Sequence, residues 1–163
     1  MTEAEIDPLA LRLCEPRYFE DFHVGERHYL PSRTMTEGVF AAFQAASGDN
    51  HPIHYDRHWC RAHGHRDLLA HGLQVAIQAC IGAGALAHLM SESLVGFLEQ
   101  SSRFLKPVYC GDTLYPSVEI AALKAQRTTG VMTCRVTVHN QDGVLVMDGE
   151  HKYLLRKRPA AGS

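Results

Sequence analysis

No two cysteines in this sequence stand at C-x-x-C spacing; the five present (Cys14, Cys60, Cys80, Cys110, Cys134) are scattered and odd in number. That argues against a structural zinc site and against a disulfide framework, and leaves reduced thiols in a cytoplasmic protein as the expectation. An excess of either charge is missing too. A formal net charge of -2 gives no electrostatic reason to expect nucleic acid or an anionic membrane as partner. Long apolar runs are lacking: Ala79 to Met90 is the longest, too short and too rich in Gly and Ala to span a bilayer, and His88 interrupts it. The first residues, "MTEAEIDPLALRL", are acidic before they are apolar, unlike a secretory signal. No repeat or low-complexity linker divides the chain, so residues 1–163 are expected to form one domain, with 1–15 and 158–163 as loose tails. At 45% apolar and 21% charged, the chain has the composition of a soluble globular protein with a sizeable core.

What the sequence has in plenty is histidine. Six (His51, His54, His58, His63, His65, His71) fall within 21 residues, around the stretch "SGDNHPIHYD". The local pattern places that stretch on a loop. Before it, "RHYLPSRTM" (27–35) can be a strand, with Pro31 favouring an edge or a bulge. Thr36 then stands where a helix N-cap belongs, Glu37 follows in the first turn, and Val39, Phe40 and Phe43 give an apolar face. Ser47–Gly48 is a helix stop. After the loop, "YDRHWCRAHG" reads as a second short helix carrying Trp59.

"HGLQVAIQACIGAGALAHLM" (71–90) is apolar or small nearly all round, which predicts a long buried helix. Gly82 and Gly84 each disfavour a helix by about 1 kcal/mol against Ala, so something is expected to pack close to the backbone there. Beyond Met90 the pattern turns to strand. Strands are predicted near 94–105, 112–123, 131–140 and 144–155. Leu114, Val118 and Ile120 share one face of the second; Met132, Cys134, Val136 and Val138 alternate with polar residues in the third. "NQDG" (140–143) marks a hairpin. The expectation is an α+β domain, an antiparallel sheet curled around one central helix, with enough uncovered sheet to require a second copy.

The histidine-rich loop admits three readings. A metal site would want ligands at helical or hairpin spacing, and neither H-E-x-x-H nor a clear two-His-one-carboxylate pattern is present, so no metal is expected. A polar surface loop with solvated histidines would leave the helix stop, the Asp after it and the Pro before His54 without a purpose. An acid–base loop uses all of them. Pro52 stiffens the backbone, Asp49 and His54 face one water, and a carboxylate with an imidazole is a suitable pair for moving its protons.

The run "FQAASGDNHPIHYD" resembles the signature of the MaoC-like dehydratases, the (R)-specific enoyl-CoA hydratase family with the hotdog fold. "AHGLQ" and "FLKPVYCGDTL" (104–114) resemble further landmarks of that family. His51 stands where the family usually has Asn, while the Asp-to-His spacing is kept. The resemblance implies a single hotdog domain and reversible addition of water to a trans-2-enoyl-CoA, giving an (R)-3-hydroxyacyl-CoA. By position the catalytic pair would be Asp49 and His54. No cofactor is implied, coenzyme A being part of the substrate. Gly72, opening the long helix, is suited to present its backbone N–H to the thioester carbonyl as negative charge develops there; it is also a tight loop-to-helix junction. Ser47 and Asn50 are candidates to orient the pair or to serve as cap and turn. His71 either lines the substrate pocket or is structural. Arg103 and Lys106 are candidates for CoA phosphates, or solvated strand-end charges.

Two other functions compete. A hotdog thioesterase generally carries an acidic residue on or beside the central helix, and residues 72–90 contain no Asp or Glu. A non-catalytic acyl-CoA-binding subunit would have no use for Asp49, His54 and Gly72 together. The partners expected are an acyl-CoA and a second copy of the chain.

Overall fold

The computed structural model describes residue 7 and residues 12–159. In chain order come β1 (Arg27–Tyr29), β2 (Arg33–Thr34), α1 (Glu37–Ser47), α2 (Pro52–Tyr55), α3 (Arg57–Ala62), α4 (Gly72–Ala76) and α5 (Ala85–Leu89). The long strands β3 (Leu94–Phe104), β4 (Thr113–Ala125), β5 (Thr129–His139) and β6 (Leu145–Arg156) follow. They form one antiparallel sheet in the order β1-β4-β5-β6-β3, with β2 also on β4. This is the hotdog arrangement, a curved sheet against a helical segment. The loose tails expected at the ends fall largely outside the described residues; within them, Arg158 is tied to Asp21 at 2.6 Å and Arg12 to Glu92 at 3.2 Å.

The period-two pattern puts the core where it belongs. Met132, Cys134, Val136 and Val138 of β5 are fully buried, and so are Leu114, Val118 and Ile120 of β4. Ile120 and His151 flank Cys134 across the ladder, so one row of inward side chains runs from β4 through β5 to β6. Burying a Val, Ile or Met side chain of this kind contributes roughly 1.5–3 kcal/mol. Burial also pushes the Cys134 thiol up to about 12, keeping it an inert core residue. The edge position favoured by Pro31 is present, though as two separate short strands, β1 and β2, each paired with β4. In the Asn140–Gly143 hairpin Gly143 takes φ 71.

The long helix expected over 71–90 is not continuous. α4 runs on as a 3-10 turn to Ala79, Cys80 is extended, a second 3-10 turn covers Ile81–Ala83, and Gly84 is extended before α5. Two local causes are visible. The Gln78 side-chain amide donates to the Gln74 carbonyl at 2.9 Å, competing for that carbonyl where the helix tightens into a 3-10 turn. Gly84 lies against β1's exit: a Cβ there would come 2.6 Å from Leu30 Cδ2. The close packing expected at the glycines therefore exists at Gly84, while Gly82 has open space. Nor is the segment buried all round. Val75, Ala76 and Ala79 face the sheet, but Leu73 and Ile77, one turn apart, are 56% and 50% exposed.

Candidate active site

Thr36 caps α1 by accepting from Val39 N–H at 3.4 Å, and Gly48 ends it at φ 70, a left-handed turn that Gly adopts without strain. The chain leaves this turn with Asp49 pointing back across the loop. Asp49 Oδ1 accepts from the His51 backbone N–H at 2.9 Å. That bond chiefly holds the carboxyl below its ordinary range; partial burial opposes it, and the nearby His54, His71 and His51 rings support it. Asp49 is thus present as an anion.

His51 caps the next helix. Its Nδ1 accepts from Ile53 N–H at 3.3 Å, Pro52 occupies the first turn, and α2 delivers His54. The His54 ring is fixed by a partner far along the chain, since its Nδ1 lies 2.6 Å from the Leu69 carbonyl oxygen. A carbonyl only accepts, so Nδ1 carries the proton and Nε2 of the neutral ring presents a lone pair.

Residues 68–71 connect this loop to the rest of the domain. Leu69 N–H donates to Ile53 O at 3.0 Å, Ala70 N–H to Val108 O at 2.8 Å, and Cys110 N–H to Leu68 O at 2.9 Å. The segment acts as a short extra strand between the loop and residues 108–110, and it ends at His71, the N-cap of α4. Asp112 supports it from beneath. Burial pushes its carboxyl up, but the Tyr109 N–H, the Arg66 Nη2 shared between its two oxygens at 2.6 and 2.7 Å and the Gln141 amide outweigh that and hold it low.

Ligand atoms of Asp49, His54 and His71 all lie within 4.8 Å of one another. His54, His71 and Gly72 open onto one cavity of about 450 Å³, whose remaining wall is mainly apolar: Leu69, Val75, Phe104, Val108 and Val146 among others. Gly72 is the first residue of α4, where a backbone N–H has no partner within the helix. A Cβ at Gly72 would come 2.7 Å from Phe104 Cε2, so the absent side chain is what lets the Phe104 ring and the helix start share this wall. The arrangement is a lone-pair imidazole beside a carboxylate, facing a backbone donor across an apolar chamber. It can activate a water and polarise a carbonyl.

Of the six clustered histidines, two reach this site. His58 is exposed, His63 stacks on Trp59 with centroids 3.8 Å apart, His65 stands by the Tyr109 hydroxyl, and His51 meets Trp59 edge-on. Ser47 and Asn50 are engaged within the loop: Ser47 Oγ accepts from Asp49 N–H at 3.2 Å, and Asn50 bonds Gln44 and the Gly48 carbonyl. They shape the turn. Lys106 lines the cavity, but Arg103 does not; it points into another groove, paired with Asp148 at 2.5 Å. Arg103 and Phe104 are adjacent in β3, where alternation sends neighbouring side chains to opposite faces, so Arg103 does not share the wall that carries Phe104. Sequence reasoning missed Leu69, whose part is played by backbone atoms, and Phe104, which reads there as an ordinary strand aromatic.

The fold with this loop and cavity is that of a hotdog domain, and sequence comparison gives its family. The chain belongs to the MaoC-like domain family, whose profile matches residues 21–141. It is 28% identical over 148 residues to a 3-hydroxybutyryl-CoA dehydratase of Methylorubrum extorquens, spanning 88% of this chain and 87% of that one. Against an (R)-specific enoyl-CoA hydratase of Aeromonas caviae the identity is 29%, over 80% of this chain and 93% of the relative. Among solved structures, a monoamine oxidase regulatory protein from Archaeoglobus fulgidus superposes with a TM-score of 0.83 at 30% identity, covering 91% of this chain and all of that one.

Proposed function

We propose that this protein is an acyl-CoA hydro-lyase that adds water reversibly to a trans-2-enoyl-CoA to give an (R)-3-hydroxyacyl-CoA. The observation that carries the reading is the free Nε2 of His54, set by the Leu69 carbonyl beside the Asp49 anion and opening into the cavity. In hydration, His54 Nε2 takes a proton from water as the oxygen bonds C3. Electron density moves through C2 to the thioester oxygen, which Gly72 N–H stabilises, and a proton is returned at C2, so the net change is one H₂O. A positioned acid–base group supplies about 100-fold or more of rate, and one donor to the developing oxyanion about 3–4 kcal/mol of barrier. The acyl chain lies against the apolar wall, and Lys106 at the rim meets the anionic end of coenzyme A. The relatives' printed activities on 3-hydroxybutyryl-CoA and enoyl-CoA support this substrate class.

The working unit is a homodimer. Among the described residues β3 pairs on one side only, with β6, and it carries Leu94, Val95, Phe97 and Leu98, each 40–55% exposed. A long apolar edge strand left open is an aggregation hazard, and a second copy covering it together with Leu73 and Ile77 removes that hazard. Five free thiols fit a cytoplasmic setting, and no helix among the described residues is long and apolar enough to cross a membrane. Incubation with crotonyl-CoA tests the function: loss of enone absorbance without thiol release supports it. Thiol release supports a thioesterase, and neither change supports a binding subunit.

A further inference from the structure

Two histidines border Asp49 and cap helices in the same way. In "HPI" the His51 Nδ1 accepts from the N–H two residues ahead, at 3.3 Å; in "HGL" the His71 Nδ1 accepts from Leu73 N–H at 3.0 Å. An Nδ1 that accepts holds a lone pair, so the ring proton of His71 resides on Nε2. That Nε2 stands 3.3 Å from Asp49 Oδ2. His54, by contrast, donates through Nδ1 and keeps Nε2 free. The two rings lie 5.2 Å apart between centroids and carry opposite tautomers; Phe43 of α1 packs on the far side of His71, also at 5.2 Å.

We propose that His71 is a positioning residue: its Nε2–H holds the second oxygen of Asp49 while its Nδ1 fixes the first turn of α4, tying the acid–base loop to the Gly72 N–H. The inference rests on the hydro-lyase reading for its kinetic consequences, though not for the tautomers themselves. Asp49 is then gripped from two sides, by His51 N–H on Oδ1 and by His71 on Oδ2. The same ring decides where the oxyanion donor stands, because it sets the N-cap geometry of the residue before Gly72. It also bears on why Asp49, His54 and His71, close enough to suggest a metal triad, do not offer three free ligand atoms. A metal at His71 Nε2 would need the proton moved to Nδ1, where it would oppose the Leu73 N–H.

Two substitutions separate the two jobs of the ring. In His71→Asn the amide oxygen replaces Nδ1 and keeps the cap, but nothing reaches Asp49. In His71→Gln the longer amide reaches Asp49 with an N–H, and the cap is weakened. With crotonyl-CoA as substrate, His71→Asn is expected to keep the wild-type melting temperature and KM and to lose about 10- to 100-fold in kcat, the scale of a misplaced catalytic group. His71→Gln is expected to recover most of that kcat while melting lower. ¹⁵N NMR of the wild type at mildly alkaline pH is expected to show the ring proton on Nε2 in His71 and on Nδ1 in His54. An unchanged kcat in His71→Asn, equal loss of kcat in both variants, or a proton on Nδ1 of His71 each overturns the proposal. If the wild-type protein hydrates no enoyl thioester, the hydro-lyase reading falls, and the tautomer pair still decides the assignment of His71.

Discussion

The His54 ring donates from Nδ1 to the carbonyl of Leu69, fifteen residues further on, at 2.6 Å. Leu69 returns the link through its own N–H to Ile53 O at 3.0 Å. This reciprocal pair fixes which nitrogen of His54 is free, on which the proposed acid–base role depends.

His51 differs from its neighbours in that it serves Asp49 chiefly through the backbone. His51→Ala keeps the N–H on Asp49 Oδ1 and gives up the side-chain cap of α2 and the edge contact with Trp59. The expected outcome is a fall in kcat well under tenfold, against about 100-fold or more for Asp49→Asn, which removes a positioned acid–base group. Steady-state kinetics on the two variants check this. Abolished activity in His51→Ala would move the proton-carrying role to His51.

Gly72→Ala sets a methyl group against the Phe104 ring. Because Phe104 lines the cavity, a shift of its ring alters that wall, and kcat/KM is expected to drop about 10-fold or more while the melting temperature changes little. Adding Phe104→Leu should restore part of the loss by returning the space. A Gly72→Ala enzyme with wild-type kinetics would show that the helix start does not approach substrate.

Chelation is expected to do nothing. With the His71 Nε2 protonated, the three groups lack a complete preformed ligand set. Activity after dialysis against EDTA should equal that before; activity lost to the chelator and regained with zinc would contradict the assignment.

Glu26 contributes to the acid side of stability. Its hydrogen bonds from Arg17, both at 2.8 Å, hold the carboxyl at about 2 against an ordinary 4.5, with His23 helping and burial opposing. A carboxyl lowered on folding stabilises above its unfolded pKa, and that stability is lost as pH falls through the folded value. The urea midpoint is therefore expected to fall between pH 4.5 and about 2. In Glu26→Gln the fall should be shallower; it does not vanish, because Asp21, Asp67, Asp112 and Asp148 are also held low. Parallel pH profiles would show that Glu26 contributes nothing.

The dimer is expected to depend on the exposed helix face. Ile77→Glu puts a charge where the isolated chain already exposes half the side chain, so the fold tolerates it while a covered interface does not. Light scattering should give a dimer for the wild type and a monomer for the variant. A wild-type monomer at micromolar concentration contradicts the homodimer.

The strands were legible because alternation is a local signal. Met132 to Val138 declare their inward face without reference to anything else, and the four long strands begin and end within two residues of the spans read from sequence. The helix over 71–90 was misread because composition cannot register the Gln78 amide on the Gln74 carbonyl, or Leu30 pressing on Gly84. The loop was legible as a pattern, Asp49 five residues before His54. The difference between His54 and His71 was not. It depends on whether Nδ1 meets a carbonyl or an N–H, and those partners, Leu69 and Leu73, have side chains that carry no trace of it.

The most direct measurement is the rate of enone loss from crotonyl-CoA, followed with a thiol reagent present, for the wild type and His54→Ala side by side. The expected result is hydration by the wild type with no thiol released, and a rate lower by about 100-fold or more in a His54→Ala protein that is still folded. Equal rates in the two proteins, or thiol release by the wild type without hydration, would contradict the assignment of this site.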